Sequence, residues 1–159
     1  MYRQVWRVTF SIIPPRKHSC YHVGMVVTEQ MKKELAELAR EYNIALLVLF
    51  GSQATGHTHK KSDVDIGFLS RTDIDYRKCY ELSVSLARIF KNRDVELVNL
   101  GAVSPELKKQ VADQGLLLHE EHPSAFDLFK IHANRIYMET KPLRRYRDEY
   151  LNYFLKKHA

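Results

Sequence analysis

Two aspartates separated by one valine, Asp63-Val64-Asp65, open the apolar run VDIGFL, and a Gly51-Ser52 pair closes the preceding apolar run, IALLVLF. A carboxylate costs on the order of several kcal/mol to bury unless a cation or hydrogen bonds compensate it, so acids beside IGFL require a partner. IALLVLF, residues 44–50, is too short for an independent helix and reads as a buried strand. VDIGFL reads as a second strand. Side chains two apart on a strand share a face, so Asp63 and Asp65 project together, with alpha carbons about 6.5–7 Å apart.

The surrounding pattern alternates helix and strand. Thr28 is a candidate cap for a helix to about Asn43, with Met31, Leu35, Leu38, Ala39 and Tyr42 on one face. SQATG can open a short helix before the polar loop HTHKK. From about Asp73 to Phe90, the residues Ile74, Cys79, Leu82, Leu86 and Phe90 form a helical stripe. VELVNL, 95–100, predicts a third strand. Ser104-Pro105-Glu106 predicts a helix start, Gly115 its stop, and LLLH a fourth strand. Ser124 with Asp127 resembles a capping box for a helix to about Thr140, and Pro142 restarts a second one. The expected organisation is an N-terminal extension, disordered or adding a strand (1–24), a central domain (25–122) and a C-terminal helical pair (123–159).

At 159 residues the chain is long enough for one real core, and no apolar run approaches a membrane span. The net charge of +6 invites a nucleic-acid reading, but its distribution argues otherwise. Residues 1–24 and 141–159 each contribute +4, leaving −2 for the middle, so no basic groove runs through the core. Pro14-Pro15 interrupt the short N-terminal apolar stretch, which argues against a signal peptide. Cys20 and Cys79 make no disulfide framework, and free thiols point to a reducing cytoplasm.

Magnesium takes one or two carboxylates and completes its octahedron with waters and phosphates, which suits the Asp63/Asp65 pair. Glu96 lies among Val95, Leu97 and Val98; a strand placed beside VDIGFL makes it a third carboxylate, able to help hold an ion and to take a proton from an attacking hydroxyl. Asp94, nearby, reads as a turn residue. Gly51 lets backbone approach a phosphate, Ser52 supplies a hydroxyl, and the helix start adds N–H groups. GSQATGHT has P-loop spacing, but His57 stands where the lysine belongs, and the loop feeds a carboxylate strand rather than a long helix.

Gly51-Ser52, ten residues, then Asp63-Val64-Asp65, with Glu96 on a later strand, resembles the nucleotidyltransferase superfamily of the DNA polymerase beta type. The short GSQATG…SDVDIGF segment is most similar to its minimal nucleotidyltransferase (MNT) branch, over roughly residues 28–120. The resemblance implies an α+β fold: a mixed, mostly antiparallel sheet of about four strands flanked by helices. It assigns Asp63, Asp65 and Glu96 to catalysis and to magnesium, two ions in all, and Gly51, Ser52 and Ser62 to the nucleotide, ATP. The third acid of relatives is commonly aspartate, one methylene shorter than Glu96. Many relatives also carry arginine where Gln53 or Thr55 stands, which leaves that phosphate contact absent or moved to Lys60 or Lys61. MNT proteins with such a helical tail resemble antitoxins paired with HEPN ribonuclease toxins. The implied reaction is magnesium-dependent AMPylation, AMP passing from ATP to a toxin tyrosine, in the cytoplasm and without direct nucleic-acid or membrane binding. A small-molecule adenylyltransferase and a binding-only antitoxin are the alternatives.

Other features have plainer readings. His57 and His59 are solvated loop residues, HEEH (119–122) lacks zinc-helix spacing and reads as a polar strand exit, and Cys79 belongs to a core stripe. Tyr146, Tyr150, Tyr153 and Phe154 are expected mostly to pack on the domain. Tyrosine with arginine is also the composition of interface anchors.

Overall fold

The structure, a computed structural model, describes residues 27–55, 63–92 and 94–158. The expected extension at 1–24, together with Ser62, His57, His59, Lys60 and Lys61, lies outside the described residues. Thr28 caps α1 (Glu29–Glu41), its side chain accepting the Met31 N–H at 3.2 Å. The helix stops short of Asn43, which takes a left-handed conformation (φ 52°) and redirects the chain into β1 (Ile44–Phe50). After α2 (Ser52–Thr55) comes β2 (Val64–Ser70). Asp75 caps α3 (Tyr76–Phe90), accepting the Lys78 N–H at 2.8 Å, so this helix begins after Asp73 and Ile74; Ile74 still packs on the core.

β3 (Val95–Asn99) is followed by α4 (Pro105–Gln114), capped by Ser104, and β4 (Leu116–Glu120). The sheet order is β3-β2-β1-β4: β1 pairs antiparallel with β2 and β4, and β2 pairs parallel with β3. Parallel neighbours need a crossover, and α3 supplies it. Gly115 ends α4 in an extended conformation; a β-carbon there would collide with the Val111 carbonyl and with Val48.

Strand alternation divides the core in two. On one face, Leu47, Leu49, Val64 and Ile66 meet Leu35 and Leu38 of α1 and Leu82 and Leu86 of α3. On the other, Leu46, Val48 and Phe50 meet Val111 of α4 and Phe126, Phe129 and Ala133 of α5 (Ala125–Glu139). Asp65, between Val64 and Ile66, therefore points to the α4/α5 face.

Two local expectations fail. Ser124 occupies the cap position of α5, but its left-handed backbone (φ 77°) aims its hydroxyl away, and no capping box forms. Glu120 replaces it from the end of β4, accepting the Phe126 N–H through Oε2 at 3.1 Å. The tail also departs from expectation. α5 packs into the second core, whereas α6 (Lys141–His158) buries no residue, leaving Tyr146, Tyr150, Tyr153 and Phe154 exposed. α5 ends at Thr140, and α6 is held by Arg147 to Glu106 at 3.0 Å and by Arg144 over the Tyr137 ring. The HEEH segment is a polar strand exit, as read: Arg71 pairs with Glu121 at 2.7 Å and meets His122 at 2.8 Å.

In urea denaturation, Glu120→Ala is expected to destabilise the fold by about 1 kcal/mol through the lost cap, and Ser124→Ala by less than about 0.5 kcal/mol. The reverse order would restore the capping box.

Candidate active site

Three strand ends build the site. In the parallel β2/β3 ladder Val64 lies beside Val95 and Asp65 beside Glu96. The Val64 N–H donates to the Asp94 carbonyl at 2.9 Å, and the Asp94 N–H to Asn92 Oδ1 at 3.0 Å, which fixes the start of the ladder. Asp94 is thus the turn residue its position suggests. It also lines an open depression together with Asp63, Val95 and Glu96, a contribution signalled only by its place at the foot of β3. On the other side of β2, Asp65 pairs with Phe50, the last residue of β1, and Gly51 follows at once.

Gly51 is required twice. Its φ of 72° lies in the left-handed region that glycine adopts without strain. A β-carbon there would also fall on the Asp65 carboxylate, 2.9 Å from Cγ. The turn that begins α2 is therefore packed directly against the acid. Gly51 and Ser52, read from sequence as phosphate donors, and Asp65, read as a metal ligand, occupy one place. Asp63 and Glu96 complete it as exposed groups, Asp65 sitting half-buried between them. Ser62 lies outside the described residues.

The electrostatics are unbalanced. Burial raises the Asp65 pKa above the ordinary carboxylate range, and the charges of Glu96 and then Asp63 raise it further. None of the ion pairs among the described residues includes any of the three acids. Nor, among the described residues, do three acidic, histidine or cysteine side chains close into a preformed metal cage. An open edge of oxygen donors with an excess of negative charge fits magnesium, whose remaining positions are filled by phosphates and waters. Cys79, by contrast, is partly buried on the α1/α3 side, where it packs on the core as read from sequence.

Comparison with known proteins places the fold in a family. The family described as "Polymerase beta, Nucleotidyltransferase" matches residues 33–124, which include β1 to β4 and all three acids. The chain belongs to this nucleotidyltransferase family. It is 39% identical over 72 residues to the protein adenylyltransferase MntA of Shewanella oneidensis, a match covering 45% of this chain and 51% of that protein, about half the relative's length. Among solved structures, a chain of a toxin–antitoxin complex with AMP-PNP superposes with a TM-score of 0.65 and 29% identity, covering 76% of this chain and 97% of that one. A chain from the complex of a tri-AMPylated Shewanella oneidensis HEPN toxin with an MNT antitoxin superposes with a TM-score of 0.60 and 26% identity, covering 77% and 96%. Among the described residues no helix is long and apolar enough to cross a membrane.

A carboxyl held more tightly protonated in the folded state than in the unfolded chain loses stability as pH rises between its unfolded and folded pKa values. Without metal at pH 7, Asp65→Asn should therefore raise the melting temperature, and the difference should vanish as the pH falls below the ordinary aspartate range. A variant that melts lower than wild type at pH 7 would contradict this assignment.

Proposed function

We propose that this nucleotidyltransferase is the antitoxin of a type VII-like HEPN/MNT pair, transferring AMP from ATP to a tyrosine hydroxyl of a HEPN ribonuclease toxin and so neutralising it in the cytoplasm. The observation that carries the reading is Asp65 itself, packed against Gly51 on one side and in register with Glu96 on the other. Binding groups for a triphosphate and carboxylates for its metals thereby meet at one strand end. The relatives named protein adenylyltransferase, and the complexes of MNT antitoxin with HEPN toxin, support the acceptor class.

In this account the Gly51 backbone and the Ser52 hydroxyl, with Ser62 after them, hold the phosphates in line with the incoming hydroxyl. Asp63, Asp65 and Glu96 would hold two magnesium ions, which when bound neutralise triphosphate charge and polarise the alpha phosphate. Glu96, exposed at the rim, takes the proton of the tyrosine hydroxyl as its oxygen bonds to the alpha phosphorus and pyrophosphate leaves. Its extra methylene, compared with aspartate, lets the carboxylate reach beyond the strand edge. The depression is shallow and open, which suits an acceptor presented by another protein better than a small molecule that needs an enclosing cleft.

With a HEPN partner, labelled ATP and magnesium, the wild-type chain should label the partner. Asp63→Asn with Asp65→Asn should reduce labelling to background, and Gly51→Ala should reduce it by about 100-fold through displacement of the Asp65 carboxylate. Unchanged labelling in the double variant would remove the metal site. Labelling of a small hydroxyl compound without any protein would favour the small-molecule reaction, and neutralisation that survives in the double variant would favour binding alone.

A further inference from the structure

α6 presents a problem that the active site does not explain. At 100° per residue, Leu143, Tyr146, Tyr150, Tyr153 and Phe154 fall within roughly a third of the helix circumference. They are 71%, 72%, 58%, 64% and 48% exposed, respectively. A helix with such a face is normally buried against something, yet among the described residues α6 meets the body through polar and cation–π contacts, the Arg147–Glu106 ion pair, the Arg144–Thr140 hydrogen bond and the Arg144–Tyr137 stacking, and buries none of this face. Aromatic side chains bury about 150–250 Å² each, so four of them at these exposures offer roughly 400–600 Å², over half of one side of a standard interface.

Charge decides what covers this face. Residues 141–159 carry six Lys/Arg against two acids. Two copies of α6 brought together would repel, whereas an acidic surface would be attracted. The position of the anchor adds a spatial constraint. Glu106 is in the first turn of α4, and the Lys108 ammonium donates to the Gly101 carbonyl at 3.1 Å, which keeps that turn beside the end of β3. Glu96 is at the opposite end of the same strand. The Arg147 anchor of α6 is therefore separated from the carboxylates by most of the length of β3.

We propose that α6 is a docking arm whose aromatic face seats in an acidic, apolar-lined groove of the HEPN acceptor protein, remote from the tyrosine that is modified. This rests on the functional reading above and adds to it a second point of attachment. The arm holds the acceptor while the open carboxylate edge needs only a brief contact with the hydroxyl, so the arm governs acceptor affinity and the acids govern turnover.

The test uses the full chain and, as probe, the HEPN protein whose toxicity it neutralises on co-expression. Tyr150→Ala/Tyr153→Ala/Phe154→Ala removes exposed side chains only, so the melting temperature should stay at the wild-type value. Its Kd for the probe should rise at least tenfold, as should the KM for the acceptor, with kcat and ATP binding unchanged. Arg145→Glu/Lys156→Glu should weaken binding as well and flatten its dependence on salt. Affinity within twofold of wild type in the triple variant overturns the proposal, as does sedimentation showing that the free chain is a dimer which the same substitutions dissolve. The two readings fail differently. If the wild-type chain neither labels nor neutralises any HEPN protein, the functional reading falls and takes the arm with it; if wild-type labelling occurs and the triple variant keeps its KM, the docking arm alone falls.

Discussion

Like charges gathered at one sheet edge raise the free energy of a fold, and this chain gathers three through the register of a single strand pair. The parallel ladder runs from Val64 beside Val95 to Phe68 beside Asn99. Its register is set by the apolar side: Val64, Ile66 and Phe68 are buried, and Leu97 packs behind them against α1 and α3. A slip of one residue would turn Val64 and Ile66 toward the opposite face and bring acids into the core. The packing of the α1/α3 side thus forces Asp65 and Glu96 together on the other face, in the position where their charges raise the proton affinity of Asp65. That repulsion costs stability at the atoms proposed to hold the cation, so the proposed binding would release it.

Gly51 brings the turn that starts α2 directly onto the cluster of acids. β1 is central and its last residue pairs with Asp65, so whatever follows Phe50 must pass over the carboxylate. Only a residue without a side chain passes that closely with a left-handed backbone. The same turn starts α2, and so the chain direction, the donor groups and the acid share one corner. Stability is supplied elsewhere, by two apolar layers that do not include the acids.

What was legible in the sequence follows from the range of each signal. β1, the caps at Thr28 and Ser104, and the Gly-Ser to DVD spacing are local patterns, and the structure places them where the pattern puts them. Alternation put Asp63 and Asp65 on one face, but whether Glu96 joined them depended on which strand lay beside VDIGFL; periodicity does not encode strand order, and the structure supplies it by pairing β3 parallel to β2 at the sheet edge. Ser124 misled because a capping box can be written in residue types while the backbone at that residue is left-handed, a conformation set by the chain leaving β4. Glu120, four positions earlier, caps α5 through the tertiary path of the turn, which no short window reveals. α6 misled for a related reason: its apolar stripe marks a surface that is to be covered, and sequence alone does not say whether the cover is the same chain or another.

Gly51-Ser52 and the carboxylates of Asp63, Asp65 and Glu96 are proposed to form one nucleotide site, which a crystal structure of the chain with magnesium and a non-hydrolysable ATP analogue would show. The phosphates are expected against the Gly51-Ser52 turn, with cation density coordinated by Asp63 and Asp65. Nucleotide bound elsewhere, or at that turn with the carboxylates uninvolved, would contradict it.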